Sequence, residues 1–272
     1  MGNKGAFQGL ARLYARHRPS YPEPLLLRLK TAIDRSATEQ ADNRVVVDIG
    51  SGSGISTRLI RRYLGPRYEI IGIEPNPAMI QQAVADTSPE LNIKYISGDA
   101  EHQPLASACA VGMVAAQAVQ WFERVVFYRE AARVLMAGGT LAIMQNNRCW
   151  QQSEFLEKYE SFIERHNPEY SRDYRAFDIR AELATLPCFE VEAPGIWRWT
   201  REMTINEFVG MSLSSTKVNA IVRRLGEKRV IGIVTELAER YVDDSGVLQI
   251  PYQSELYVAH LTDHLLPTNI IK

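Results

Sequence analysis

Val47-Asp48-Ile49-Gly50-Ser51-Gly52-Ser53-Gly54 decides the fold. It closes a short apolar, β-branched run, Val45–Ile49, of the kind buried on both faces of a parallel sheet. The glycines that follow let the backbone turn tightly and let a ligand approach with no Cβ in the way. A helical stretch from Ile55 to Leu64 comes next. The same rhythm continues outward. Strands are predicted over Glu69–Ile73, Ile93–Ser97, Ala110–Ala115 and Thr140–Gln145, with helices over Ala78–Ala85 and Phe122–Leu135. Strand and helix alternating at this spacing imply right-handed crossovers and a doubly wound α/β sheet.

After the fifth strand the rhythm breaks. Phe155, Tyr159, Phe162 and Ile163 have helical spacing, and no strand is read before about Leu186. Gly195–Thr200 alternates like a strand, Asn206–Tyr241 reads as helix broken at Gly226, and Leu248–Leu261 reads as the last strand. The expected division is residues 1–40 as an N-terminal helical segment closing over the cofactor, 41–145 and 186–272 as the core, and 146–185 as a lid insertion. All of it forms one domain. Insertions at the carboxyl ends of parallel strands build the substrate side.

Composition narrows the function. The 272 residues are 46% hydrophobic and 23% charged, with 31 basic and 32 acidic side chains and a net charge of -1. A duplex-binding protein would carry a basic excess, and no Asn/Asp-Pro-Pro-Tyr motif is present, so nucleic acid is not the expected partner. No run approaches 18 apolar residues, so no membrane span is expected. Three scattered cysteines, Cys109, Cys149 and Cys188, fit free thiols in a reducing cytoplasm. His260-x-x-x-His264 has helical metal spacing but falls in a predicted strand, so no metal is expected.

The glycine turn implies a nucleotide. Glu74 ends the second strand, 24 residues after Gly50, where a carboxylate can reach ribose hydroxyls. Asp99 ends the third strand on the same edge. Asp48 either serves the nucleotide or ties down the glycine loop. A dinucleotide site has G-x-G-x-x-G, but here the third glycine comes one residue early and Ile55 holds its place. That favours S-adenosylmethionine over NAD.

The chain resembles the class I S-adenosylmethionine-dependent methyltransferases. The matching stretches are Val46-x-Asp48-Ile49-Gly50-x-Gly52-x-Gly54, Gly72-Ile73-Glu74-Pro75, Gly98-Asp99-Ala100-Glu101 and Arg133-Val134-Leu135-x-x-Gly138-Gly139. Ala11-x-x-Tyr14-x-x-x-Arg18-Pro19-x-Tyr21-Pro22, Ala118–Phe122 and Pro251–Ala259 are similar to the small-molecule branch of trans-aconitate methyltransferases. The resemblance implies a Rossmann-like sheet of seven strands, mostly parallel with the last antiparallel, and a helical lid after the fifth. It also implies a cofactor set. Glu74, followed by Pro75, would bind the ribose diol, and Asp99 and Ala100 the adenine. Gly50 and Gly52 would line the methionine part, with Gln117 close by. Arg18 would pair with the methionine carboxylate beside Tyr14.

Three residues are candidates for the chemistry. Gln120 and Trp121 follow the fourth strand and can both donate hydrogen bonds beside an apolar wall. His17 is the candidate base. The reaction expected is methylation of a small molecule at a carboxylate or hydroxyl oxygen by a monomer or homodimer. The alternatives are a C- or N-methyltransferase of a natural-product pathway, or a non-catalytic S-adenosylmethionine-binding protein.

Overall fold

The computed structural model describes residues 20–37 and 44–262. The elements, in chain order, are α1 (Glu23–Ser36), β1 (Val45–Ile49), α2 (Ile55–Leu64), β2 (Glu69–Glu74), α3 (Pro77–Ala85), β3 (Ile93–Ser97), β4 (Ala110–Ala116), α4 (Arg124–Val134) and β5 (Leu135–Arg148). Then come α5 (Glu154–His166), α6 (Ile179–Ala184), β6 (Phe189–Val191), β7 (Gly195–Thr204), α7 (Ile205–Leu213), α8 (Thr216–Leu225), α9 (Glu227–Ala238) and β8 (Val247–Leu261).

One eight-stranded sheet runs in the order β3-β2-β1-β4-β5-β8-β6, with β7 also paired to β8. The strands from β3 to β5 are mutually parallel, and β8 runs antiparallel to β5, β6 and β7. The Rossmann-like methyltransferase fold is therefore as expected, with one strand more than seven. The extra strand is β6, whose three residues are too few to show alternation. β5 also exceeds the expected Thr140–Gln145. Leu135 already pairs with Ala110, and the register shifts before Thr140 meets Gly112. The Met136–Gly139 stretch masks that continuity.

Val45–Ile49 is buried at every position. Val47, Ile49, Met113 and Ile143 face α4 on one side of the sheet, while Val46, Ile70, Val114 and Met144 face α1 and α2 on the other. A third core joins α5, α7, α8 and α9, with Phe155 edge-on to Phe208 at 4.7 Å and Tyr159 edge-on to the same ring at 4.9 Å. This core includes Leu248, Ile250 and Tyr252 from the first half of β8, so the helices stand over the carboxyl ends of the parallel strands. Among the described residues no helix is long and apolar enough to cross a membrane.

β1 neighbours β2 on one side and β4 on the other. The order of winding reverses between β1 and β4. Open α/β sheets bind ligands at the carboxyl ends of strands flanking such a reversal.

Candidate active site

Above that reversal lies a cavity of about 640 Å³. Gly50, Gly52, Glu74, Pro75, Asp99, Ala100, Gln117, Gln120 and Trp121 all line it. Nine of the sequence candidates thus converge on one space. Tyr14, His17 and Arg18 lie outside the described residues.

The glycine loop is shaped by its own backbone. Gly50, Gly52 and Gly54 have φ of +69°, +56° and +77°. At Gly50 two requirements meet, since a Cβ there would stand 2.7 Å from the Cβ of Ala118 and 3.1 Å from Phe122. No other residue supplies both the left-handed φ and the close approach. Gly50 and Ser51 donate their N–H groups to the carbonyl of Ile73, which ties the loop to the end of β2.

Glu74 braces the same loop. One carboxylate oxygen accepts the N–H of Gly52 and the other the N–H of Asn76, both at 3.0 Å. Each oxygen keeps a second lone pair for a hydroxyl. Burial pushes the carboxyl above its ordinary range, and the two backbone bonds oppose that. Asp99 accepts the N–H of His102 at 2.9 Å. The hydroxyls of Ser51 and Ser53 are buried in the loop with no partner, a polar cradle that fits a polar ligand.

Asp48 sits beneath the loop, fully buried, and one of its oxygens accepts the hydroxyls of Ser56 at 2.8 Å and Thr57 at 2.6 Å. It therefore ties the glycine turn to the first turn of α2, while its other oxygen has no partner. Burial dominates its titration and pushes the carboxyl from 3.8 up to about 6. The sign follows. Below 3.8 both folded and unfolded chains hold the proton, and above about 6 neither does. In between, the folded chain binds more protons, so stability falls as pH rises. The span corresponds to roughly 3 kcal/mol. Urea unfolding at pH 4 and pH 7 should show Asp48→Asn gaining stability relative to wild type at the higher pH. A difference independent of pH would mean that folding does not raise the Asp48 pKa.

After β4 the chain is strained. Gln117 has φ of +56° without being glycine, and both polar atoms of its side chain are buried without partners. Such positions cost about 1–3 kcal/mol and cluster at functional sites. Gln120 donates from Nε2 to the Gln117 carbonyl at 2.6 Å, and its Oε1 is buried without a partner. The amide carries two N–H donors, so one remains.

The far wall comes from β5, α5, the 167–178 segment and α8. Arg148 and Glu160 form an ion pair at 2.9 Å, and Tyr170 donates to the other Glu160 oxygen at 2.6 Å. Burial works against the charge on Arg148, but Glu160 and the surrounding tyrosines outweigh it and hold the guanidinium charged. Burial and Glu160 together push the Tyr170 phenol up. The Lys217 ammonium stands 3.8 Å from the Tyr174 ring centre and 4.8 Å from that of Trp121. Trp150, Tyr170 and Tyr174 line the cavity and give it an aromatic wall. Trp197 and Trp199 do not. Trp197 packs with the α1 side of the sheet, and Trp199 stacks on Tyr252 at 4.9 Å and donates to Ser254 at 2.8 Å. Arg148, Glu160, Arg175 and Lys217 escape sequence reading because no local pattern marks them.

Both ring nitrogens of His260 are engaged, by Thr140 at 3.2 Å and Glu192 at 3.0 Å. Among the described residues no group of three His, Cys, Asp or Glu could hold a metal ion.

Comparison with known proteins agrees with this geometry. Residues 47–143 match a family model described as a methyltransferase domain. A Dictyostelium discoideum protein named as a methyltransferase is 28% identical over 237 residues, covering 85% of this chain and 83% of that one. The solved structure of a type II methyltransferase from Anaeromyxobacter dehalogenans shares the fold at a TM-score of 0.60 and 20% identity, covering 90% of this chain and 97% of that one. Phosphoethanolamine N-methyltransferase 2 of Haemonchus contortus, solved with S-adenosyl-L-methionine, superposes at a TM-score of 0.51 and 13% identity, covering 95% of this chain and 56% of that one. The fold is the Rossmann-like methyltransferase fold. The chain is an S-adenosylmethionine-dependent methyltransferase, and S-adenosylmethionine is its cofactor.

Proposed function

We propose that the protein methylates a small molecule at a carboxylate or hydroxyl oxygen, in the branch that resembles trans-aconitate methyltransferases, and that it works in the reducing cytoplasm. Cys109, Cys149 and Cys188 are free thiols, in keeping with that compartment. The observation that carries the reading is the meeting of Gln120 and Trp121 with the cofactor residues in one cavity, closed over by α5 and α8. A space of that size takes a cofactor and a compact acceptor. It does not take a duplex or a folded protein surface.

In this reading the Glu74 carboxylate holds the ribose diol, Asp99 and the Ala100 backbone the adenine, and Gly50, Gly52 and Gln117 the methionine part. Bound S-adenosylmethionine supplies a methyl group on a sulfonium. The acceptor oxygen forms a bond to that methyl carbon while the carbon–sulfur bond breaks and leaves its electron pair on sulfur. The chain's own task is alignment, since holding the oxygen about 3 Å from the methyl carbon supplies much of the rate. Gln120 and Trp121 donate to the acceptor. Neither is a useful base at neutral pH, which suits a nucleophile that is already an anion.

Turnover to S-adenosylhomocysteine should be seen with organic acids or phenols and not with amines. The carboxylate product should be an ester cleaved by mild base. A hydroxyl product would be a methyl ether, stable to base, so the C- or N-methyl alternative would be favoured by a product whose new methyl group is located on carbon or nitrogen. Tight S-adenosylmethionine binding with no turnover on acids, phenols or amines would favour a sensor.

A further inference from the structure

We propose that Arg175 is the acid-recognising residue of the acceptor pocket, and that the Nε–Nη2 edge of its guanidinium takes a carboxylate of the acceptor that is not the group methylated. The inference rests on the O-methyltransferase reading and names the kind of acceptor that the same site takes.

Arg175 lies in the segment between α5 and α6 and lines the cavity. Its Nη1 is committed to the protein, donating to Asn147 Oδ1 at 2.8 Å and to the Asn146 carbonyl at 3.4 Å. Its Cζ stands 4.9 Å from the Tyr174 ring centre. These contacts fix the plane of the guanidinium. Its Nε is buried with no partner. A buried N–H left unpaired costs about 1–3 kcal/mol, so such an atom points to a missing acceptor.

Other arginines of this chain show what that edge takes. Arg124 donates to Glu182 from Nε at 2.8 Å and from Nη2 at 2.7 Å. Arg133 donates to Glu130 from Nε at 2.8 Å and from Nη2 at 2.6 Å. Arg172, also on the cavity wall, donates to Glu164 from both nitrogens. In the first two the side-on fork meets both oxygens of one carboxylate, the planar match that makes arginine the residue for this task, and in Arg172 both nitrogens converge on one oxygen of Glu164. Among the described residues Arg175 pairs with no carboxylate.

The surroundings favour an anion over a cation. The cavity holds aromatic faces that could accept an ammonium group, but Lys217 already stands over Tyr174 and Trp121. An amine acceptor would meet Lys217 and Arg175 as like charges. Of the other carboxylates on the wall, Glu160 is taken by Arg148 and Tyr170, Glu255 accepts from Gln253 at 2.7 Å and Tyr257 at 3.0 Å, Glu101 accepts the N–H of Glu123 at 2.8 Å, and Asp173 is exposed at the edge of the cavity. Tyr174 touches both cations, so Trp121, Lys217, Tyr174 and Arg175 form a continuous strip from the methyl-transfer corner to the acid anchor.

Charge accounting separates the anchored group from the reacting one. An anionic oxygen that attacks the methyl carbon loses its charge as the carbon–oxygen bond forms, and the sulfonium loses its own as the carbon–sulfur bond breaks. A guanidinium forked onto the reacting carboxylate would hold the starting anion more tightly than the transition state and slow the step. A second carboxylate keeps its charge throughout, so gripping it positions the acceptor with no such penalty. The acceptor is an organic acid with its reacting oxygen elsewhere in the molecule.

The test is calorimetric titration of the S-adenosylhomocysteine-loaded enzyme. The probes are hydroxy acids and dicarboxylic acids, each beside the amide that neutralises one carboxylate, plus a phosphate monoester of similar size. The expected result is an acid that binds wild type at least tenfold more tightly than its amide. That gap should close in Arg175→Gln and partly reopen in Arg175→Lys, which keeps a charge without the fork. Once a substrate is found, KM should rise about ten- to a hundredfold in Arg175→Gln with a much smaller change in kcat. Wild type that never prefers an acid to its amide would overturn the proposal, as would a gap that survives in Arg175→Gln. Preference for the phosphate over every carboxylate would overturn the carboxylate assignment. If Arg175→Gln loses S-adenosylhomocysteine binding, Arg175→Lys is compared instead, and an unchanged gap with loss of cofactor affinity there makes the residue structural. A product methylated on carbon or nitrogen would refute O-methylation while leaving this binding result to stand or fall alone.

Discussion

Gln120→Ala should lower turnover about a hundredfold while S-adenosylmethionine affinity stays within a few-fold of wild type. The split follows from where the residue stands. The glycine loop and Glu74 are braced from β2, whereas Gln120 lies past the end of β4 and bonds only to the Gln117 carbonyl among the described residues. One of its N–H groups is held there at 2.6 Å, which aims the amide and leaves the second for the acceptor. A contact that holds the acceptor in line with the methyl carbon, made fully only in the aligned transition state, is worth about 2–3 kcal/mol, which converts to roughly a hundredfold in rate. Gln120→Glu keeps the size but loses both donors and sets a negative charge beside an anionic acceptor, so it should be at least as damaging. Steady-state kcat and a calorimetric cofactor Kd on the same preparations check the split. Wild-type turnover in Gln120→Ala would move the acceptor site elsewhere in the cavity.

The glycine-loop side of the cavity is legible in the sequence because its signals are local. A β-branched run, three glycines at alternate positions and a carboxylate at the next strand end are each written within a few residues. The structure needs them for backbone reasons: three left-handed φ values and an approach to Ala118 that only glycine permits. Asp48 was ambiguous in the sequence and is resolved by Ser56 and Thr57, whose hydroxyls show it bracing the loop. The strain at Gln117 was invisible, since nothing in Ala115-Ala116-Gln117-Ala118 requires a left-handed residue.

The far wall was illegible for a different reason. Arg148 ends a strand, Glu160 sits in a helix, Arg175 in a loop and Lys217 at a helix start, and only tertiary packing brings them to one cavity. Glu160 would read as a solvated helix carboxylate, yet it is buried and paired with Arg148. The strand pattern failed where elements were short or interrupted. Phe189–Val191 has too few residues to alternate, and the glycines at 138 and 139 hid the start of β5.

Glu74→Ala should weaken S-adenosylmethionine binding at least tenfold and leave the protein folded. The ribose contacts proposed for Glu74 alone support that figure, since hydrogen bonds to a charged group are worth about 1.5–3 kcal/mol each and about 1.4 kcal/mol is tenfold. The structure adds a second loss. Both carboxylate oxygens accept backbone N–H groups, from Gly52 and Asn76, so truncation also releases the loop that holds the cofactor. For the same reason Glu74→Gln is not a mild change. An amide offers one acceptor oxygen, and its NH2 would face the N–H of Gly52 or Asn76, donor against donor. Glu74→Gln should therefore fall close to Glu74→Ala, although it keeps the size of the side chain. Acidification should imitate both. Protonation leaves one oxygen carrying a hydrogen, and burial raises the pH at which this happens above the ordinary glutamate range. Cofactor affinity should thus decline on acidification at a higher pH than an exposed glutamate would give, and Glu74→Gln should flatten that decline. Calorimetric titration of S-adenosylmethionine from pH 7.5 downward, on wild type and both variants, measures all of this. An unchanged Kd in Glu74→Ala would reduce Glu74 to a brace for the turn, with the ribose held elsewhere.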